Sequence, residues 1–146
     1  MHIGLAEINA IVENVWASTL GYEAIPVDDP LEIADGVTGS VGISEAGALL
    51  GRVYLHCSRE VASSAAAVMF RLDLDAVGEQ DAADTVGELI NMIGGNIKSL
   101  LAENSQLEIP TVVIGGGLVP DACVNVCDAY FVAEGGPFRV MLCGMQ

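Results

Sequence analysis

Basic residues are scarce in this 146-residue chain: five Lys and Arg stand against twenty Asp and Glu, a formal charge of −15. Such a surface excludes the counterion-releasing contacts that hold nucleic acid and disfavours an anionic membrane. It also repels free phosphate compounds at long range, so a phosphorylated substrate would need its positive charge supplied by a partner. Long apolar runs are missing too, with nothing near the roughly 18 residues that a membrane-spanning helix needs. The N-terminal MHIGLAEINAIVEN carries acids and no basic segment, so no secretory signal is expected and the cytoplasm is the expected location. The four cysteines, at 57, 123, 127 and 143, form no CxxC pair, and His2 and His56 lie far in sequence from Cys123 and Cys127. No metal site is expected, and the thiols are read as buried and reduced rather than as a disulfide scaffold.

What is abundant is apolar: 52% of the residues are hydrophobic, enough to build one core from residues 1–146 as a single domain. The segment 5–20 reads as a long helix with Leu5, Ile8, Ile11, Val12, Val15 and Trp16 on one stripe and Gly21 as its terminator. A short extended piece, 23–27, precedes the turn signal Asp28-Asp29-Pro30. Segments 37–44 and 49–57 read as a hairpin joined through Glu45-Ala46-Gly47. In its second strand Val53, Leu55 and Cys57 share one face; Arg52, Tyr54 and His56 share the other, which places His56 at the surface or half-buried. Ser58 is suited to cap a helix running to about Arg71, with Ala65, Ala66 and Ala67 favouring helix and close packing. The acidic segment 73–81 reads as a loop. Residues 107–115 read as a strand with Pro110 marking an edge or bulge. Gly115-Gly116-Gly117 is a turn and not a phosphate loop, since no Lys-Ser/Thr and no helix follow it. Segments 124–133 and 138–143 form a last hairpin across Glu134-Gly135-Gly136-Pro137.

The chain is organised around 84–101, DTVGELINMIGGNIKSLL. Val86, Leu89, Ile90, Ile93, Ile97, Leu100 and Leu101 recur at three- and four-residue steps, one stripe at about 100° per residue. Gln80 or Asp81 could cap this second long helix. Asp84, Glu88, Asn91 and Gly95 fall together on the opposite side. Asn is unfavourable inside a helix because its side chain competes for backbone hydrogen bonds, and Gly94 and Gly95 each cost about 1 kcal/mol relative to Ala. Such residues on a strong helix point to a function, or to a close approach by a partner, on that face. A break at Gly94-Gly95 is the structural alternative.

The two long helices also match each other. Setting Asn9 on Asn91 places Ile8 on Ile90, Ile11 on Ile93, Asn14 on Asn96 and Val15 on Ile97. An Ile-Pro pair follows each, at Ile25-Pro26 and Ile109-Pro110. Ala6 then stands where Glu88 stands in the second half, so one acid-plus-amide surface per chain is expected.

Asp84, Glu88, Asn91 and Pro110, with Asn91-Met-Ile-Gly-Gly-Asn96 and Ile109-Pro-Thr-Val between and after them, resemble the signature of the chemotaxis phosphatases CheC, CheX and FliY, CheX above all. That resemblance implies an α+β, CheC-like fold with two long helices packed on an antiparallel sheet. It implies hydrolysis of the aspartyl phosphate on a CheY-like receiver domain. Asn91 matches the amide that orients the attacking water, and Glu88 the acid that pairs with the receiver's active-site lysine; Asp84 and Gly95 would contact the partner. The chain would need no cofactor of its own, because the receiver carries the Mg2+. A homodimer joined through the sheets is also implied. The alternative of another class is a non-catalytic receiver-binding module related to the flagellar switch proteins.

Overall fold

A computed structural model describes residues 3–101, 103–118 and 125–144. The first helix, α1, spans Leu5–Val15 and buries Ile8, Val12 and Val15. Its continuation, Trp16–Leu20, widens into a π turn closed by Gly21 in the left-handed region, where a Cβ would be strained. Strand β1 (Ile25–Val27) follows. Strands β2 (Gly36–Glu45) and β3 (Ala48–Ser58) form the expected hairpin. Its two-residue turn holds Ala46 at φ 53 and Gly47 at φ 81, the positive pair that matches strand twist. The Ser58 hydroxyl accepts from the N–H of Val61 and caps α2 (Arg59–Phe70).

The acidic loop expected at 73–81 is a short 3-10 turn, Leu74–Ala76, after which helix α3 already runs from Glu79 to Lys98. Its N-cap is Gly78, whose N–H donates to the Asp81 carboxylate at 2.9 Å. Neither Gln80 nor Asp81 is the cap, and the first turn was hidden because its residues are polar. The helix continues unbroken through Gly94 and Gly95 and stops at Lys98, which leaves Leu100 55% exposed rather than in the stripe. Leu5, at the other end of the apolar pattern, is likewise half exposed.

The strand expected over 107–115 is two strands, β4 (Ser105–Leu107) and β5 (Thr111–Ile114). Pro110 has no N–H for the ladder and lies between them, after Glu108 donates to the Gly42 carbonyl at 2.8 Å. Strands β6 (Asn125–Ala133) and β7 (Gly136–Gly144) close the chain as a hairpin. The first residue of the expected hairpin, Val124, lies outside the described residues, as do His2 and Cys123.

Among the described residues seven strands form one antiparallel sheet in the order β1-β6-β7-β3-β2-β4, with β5 also on β2. The fold is thus the expected α+β; among the described residues the two long helices, α1 and α3, are joined by α2, the helix expected after Ser58. The sheet carries the matching halves seen in sequence: β1, following α1, pairs β6, and β5, following α3, pairs β2. Each half lays its first strand on the other half's hairpin. Helix α1 packs over β6 and α3 over β2.

The core lies between the helices and one sheet face. Trp16 stacks on Phe138 with centroids 4.2 Å apart, and Phe138 on Phe131 at 5.0 Å, joining the π turn to β6 and β7. Val86, Leu89, Ile90, Ile93 and Ile97 are fully buried as the period requires. Helix α3 approaches β2 closely because glycines face each other's element: a Cβ on Gly39 would sit 2.9 Å from Val86 Cγ1.

Cys57 is a fully buried free thiol, its pKa raised by burial, and Cys127 is free as well. Cys143, expected to be reduced, is instead disulfide-bonded. Bonding depends on Cβ separation in space, which sequence spacing does not report.

His56 also departs from expectation, at 2% exposure. Register places Thr38 opposite it, and its Nδ1 lies 2.7 Å from the Thr38 hydroxyl. Its Nε2 lies 3.1 Å from the Ile33 carbonyl, which can only accept, so the neutral Nε2–H tautomer satisfies both contacts. Burial lowers its pKa below 6.5, against the Ile33 hydrogen bond and with the charge of Arg139. On acidification the unfolded chain therefore binds the proton first, and stability falls as pH drops through 6.5 toward the lowered folded value. His56→Gln is expected to reduce the fall in Tm between about pH 7 and 5. An unchanged fall, measured by thermal melts at both pH values, contradicts this assignment.

Candidate functional site

Helix α3 and strand β5 form the two walls of an open groove of about 450 Å³. The helix wall is Gln80, Ala83, Asp84, Gly87, Glu88 and Asn91, and the strand wall is Pro110, Val112 and Ile114. The walls approach each other at Gly87, where a Cβ would stand 3.4 Å from Val112 Cγ2.

Three of the four residues singled out on the polar face meet in this groove: Asp84, Glu88 and Asn91, all exposed. Successive steps of four and three residues stack them along one line of α3. Gly95 extends the same line beyond Asn91 but does not line the groove, and a Cβ there would have no heavy atom within 4 Å. Glycine here leaves open surface. Gly94, one residue earlier, is buried, and its Cβ would meet Val41 Cγ1 at 2.7 Å. The two glycines therefore answer different demands, one of packing and one of access.

Among the described residues neither the Glu88 carboxylate nor the Asn91 amide has a hydrogen-bonding partner. Asp84 is engaged, its Oδ1 accepting from Gln80 Nε2 at 2.7 Å. Gln80 was missed as a site residue, although its spacing of four from Asp84 places it on the same line. Val112 and Ile114 could not be assigned to a wall without knowing that β5 lies beside α3.

The chemistry available is limited and specific. One wall offers a free acid and a free amide, the other a low apolar surface of proline and β-branched side chains. No group of three or more His, Cys, Asp or Glu placed to hold a metal occurs among the described residues. An amide supplies a donor and an acceptor without any protonation change, which suits it to orienting a water molecule. No helix of the described residues is long and apolar enough to cross a membrane.

The matching groove of the first half differs. It lies between α1 and β1, has a volume of about 290 Å³, and is lined by Glu13, Ala17, Glu23, Ala24, Ile25 and Pro26. Neither Ala6 nor Asn9, the counterparts of Glu88 and Asn91, belongs to it.

Residues 37–128 match the family model of the chemotaxis phosphatase CheX. No curated protein sequence matches significantly. Among solved structures, a chemotaxis protein CheX from Vibrio vulnificus superposes with a TM-score of 0.78 at 24% identity, over 93% of this chain and 92% of the other. A CheC-like superfamily protein from Shewanella sp. PV-4 gives 0.80 at 19% identity, with both chains fully covered. CheX in the CheX–CheY–BeF3–Mg2+ complex of Borrelia burgdorferi gives 0.76 at 18% identity, over 99% of this chain and 100% of the other. At these identities the structures share the fold.

Proposed function

Because the chain belongs to the CheX family of chemotaxis phosphatases, we propose that it hydrolyses the aspartyl phosphate of a CheY-like receiver domain through the α3–β5 groove. The observation that carries this reading is the pairing of a partnerless acid and a partnerless amide one turn apart on the helix wall. The Borrelia protein of the same fold is bound to CheY with BeF3 and Mg2+. A receiver that brings its own Mg2+ resolves the charge problem of a chain at −15, and the phosphatase then needs no cofactor of its own.

In the proposed reaction the Asn91 amide holds a water in line with the phosphorus–aspartate bond. The water oxygen attacks phosphorus, the phosphorus–oxygen bond to the receiver aspartate breaks, and inorganic phosphate and a free carboxylate result. Positioning is the source of rate, since the receiver's own metal already neutralises the developing charge. Glu88 pairs with that lysine and fixes the docking, while Asp84 and the open surface at Gly95 contact the receiver beside it. The reading carries a cytoplasmic location with it.

The division of labour is testable. Glu88→Ala is expected to raise KM for the phosphorylated receiver about tenfold, the loss of one charge-assisted contact, with a smaller effect on kcat. Steady-state phosphate release at varied receiver concentration measures both. An unchanged KM contradicts the docking role of Glu88. A protein that binds the receiver yet leaves its phosphoryl group untouched is the non-catalytic module related to the flagellar switch proteins.

A homodimer belongs to the same proposal. Among the described residues β5 pairs with β2 alone, so its other edge is open, and Ile109 and Val113 beside it are 88% and 57% exposed. An uncharged, β-branched edge of this kind invites pairing with a second copy. Val113→Lys is expected to shift the mass in analytical ultracentrifugation from dimer to monomer. A wild-type monomer at all concentrations contradicts this.

A further inference from the structure

Both walls of the groove converge on one guanidinium. Arg59 is the first residue of α2. Its Nε donates to Asp35 Oδ2 at 3.0 Å and its Nη2 to Asp35 Oδ1 at 3.4 Å. Asp35 Oδ1 also accepts from the N–H of Gly116 at 3.0 Å, in the turn that ends β5. That turn is fastened twice more, by Gly115 N–H to the Gly36 carbonyl at 2.7 Å and by Gly36 N–H to the Gly116 carbonyl at 3.0 Å. Gly115 and Gly116 stand at φ 99 and φ 74, conformations that glycine adopts freely. On its other side Arg59 Nη1 lies 3.7 Å from the carboxylate of Glu79, the first residue of α3.

Arg59 thus reaches the strand wall through Asp35 and Gly116, and the helix wall through Glu79. We propose that Arg59 is a positioning residue that holds the β5 wall at a fixed distance from α3, and so sets the width of the groove that receives the partner. The proposal rests on the receiver-phosphatase reading of that groove. The hydrogen bond from Arg59, and then that from the Gly116 N–H, hold the Asp35 carboxyl below its ordinary 3.8. Its stabilising effect is therefore complete above that value and is lost only as pH falls through the lowered one. The clamp is ionised throughout the neutral range.

All three side chains are substantially exposed, and exposed ion pairs add little to global stability. A merely structural role would therefore show as nothing, or as a small change in Tm alone. Arg59 touches no lining residue that performs the proposed chemistry, so its effect should appear in docking and not in turnover.

The test is Arg59→Ala, with Asp35→Ala as the second variant. Hydrogen exchange at the Gly115 and Gly116 amides is expected to quicken about fivefold, while the Ile90 and Ile93 amides of α3 keep their protection. KM for the phosphorylated receiver, and Kd for a receiver loaded with beryllofluoride and Mg2+, are expected to rise about fivefold with kcat within about twofold. Arg59→Lys is expected to restore little, because one ammonium cannot reproduce the fork on Asp35. Unaltered exchange at Gly115 and Gly116 overturns the clamp, and so does faster exchange with unchanged KM and Kd. If the wild type neither binds nor dephosphorylates any receiver, the functional reading fails, and the exchange measurement still decides the clamp.

Discussion

Asn91→Ala is expected to slow phosphate release from the phosphorylated receiver by about 100-fold in kcat while KM stays within about twofold. The size follows from what the residue does in the proposed step. A water already held in line has its translational and rotational freedom removed before attack, and truncating the amide returns that cost to the barrier. Docking is left to Glu88, which is why KM should hardly move. Folding should not suffer either: Asn91 is exposed on α3, and alanine is the better helix former there. A melting temperature equal to or slightly above that of the wild type is part of the expectation. A variant with full activity would remove Asn91 from the mechanism, and one that fails to fold would show that its side chain supports the helix.

The second large effect is structural. Gly94→Val is expected to cost about 1–3 kcal/mol, a fall in Tm of about 3–10 °C for a domain of this size. The Cβ alone would stand 2.7 Å from Val41 Cγ1 and 3.0 Å from Leu107 Cδ1, and valine adds two methyl groups to that clash. Relief requires α3 to move off β2, and α3 carries the helix wall of the groove. The neighbouring substitution gives the contrast. Gly95→Ala meets open space and is expected to stabilise the helix by up to about 1 kcal/mol. Thermal melts of the two variants check the pair, and equal effects would mean that the close approach of α3 to β2 is misassigned. Gly95→Trp, folded but bulky, is expected to weaken receiver binding if the line of Asp84, Glu88 and Asn91 continues into the docking surface.

The helix that carries the groove could be read from sequence because burial imposes a period. Val86, Leu89, Ile90, Ile93 and Ile97 are spaced as one buried face demands, and all five are fully buried. The same period said nothing of the helix's first turn, where Glu79, Gln80 and Asp81 face water and the cap is a glycine without a side chain. It also carried the pattern too far, to Leu100, because an apolar residue beyond the last turn looks like one within it. The line of Asp84, Glu88 and Asn91 was visible because local spacing fixes neighbours on a helix. The opposite wall was not, since only the pairing of β5 with β2 brings Val112 and Ile114 beside α3. Arg59, Asp35 and Gly116 are distant in sequence, and no local rule joins them. His56 was misjudged for the same reason: strand register supplies Thr38, and the loop before β2 supplies the Ile33 carbonyl.

The most direct measurement is the loss of the phosphoryl group from a purified, phosphorylated receiver in Mg2+, with the chain at a tenth of the receiver concentration and receiver binding followed in parallel. The predicted result is several turnovers per phosphatase molecule, at a rate well above the receiver's spontaneous hydrolysis. Binding to the phosphorylated receiver with the spontaneous rate unchanged would contradict the assignment of the α3–β5 groove as a phosphatase site.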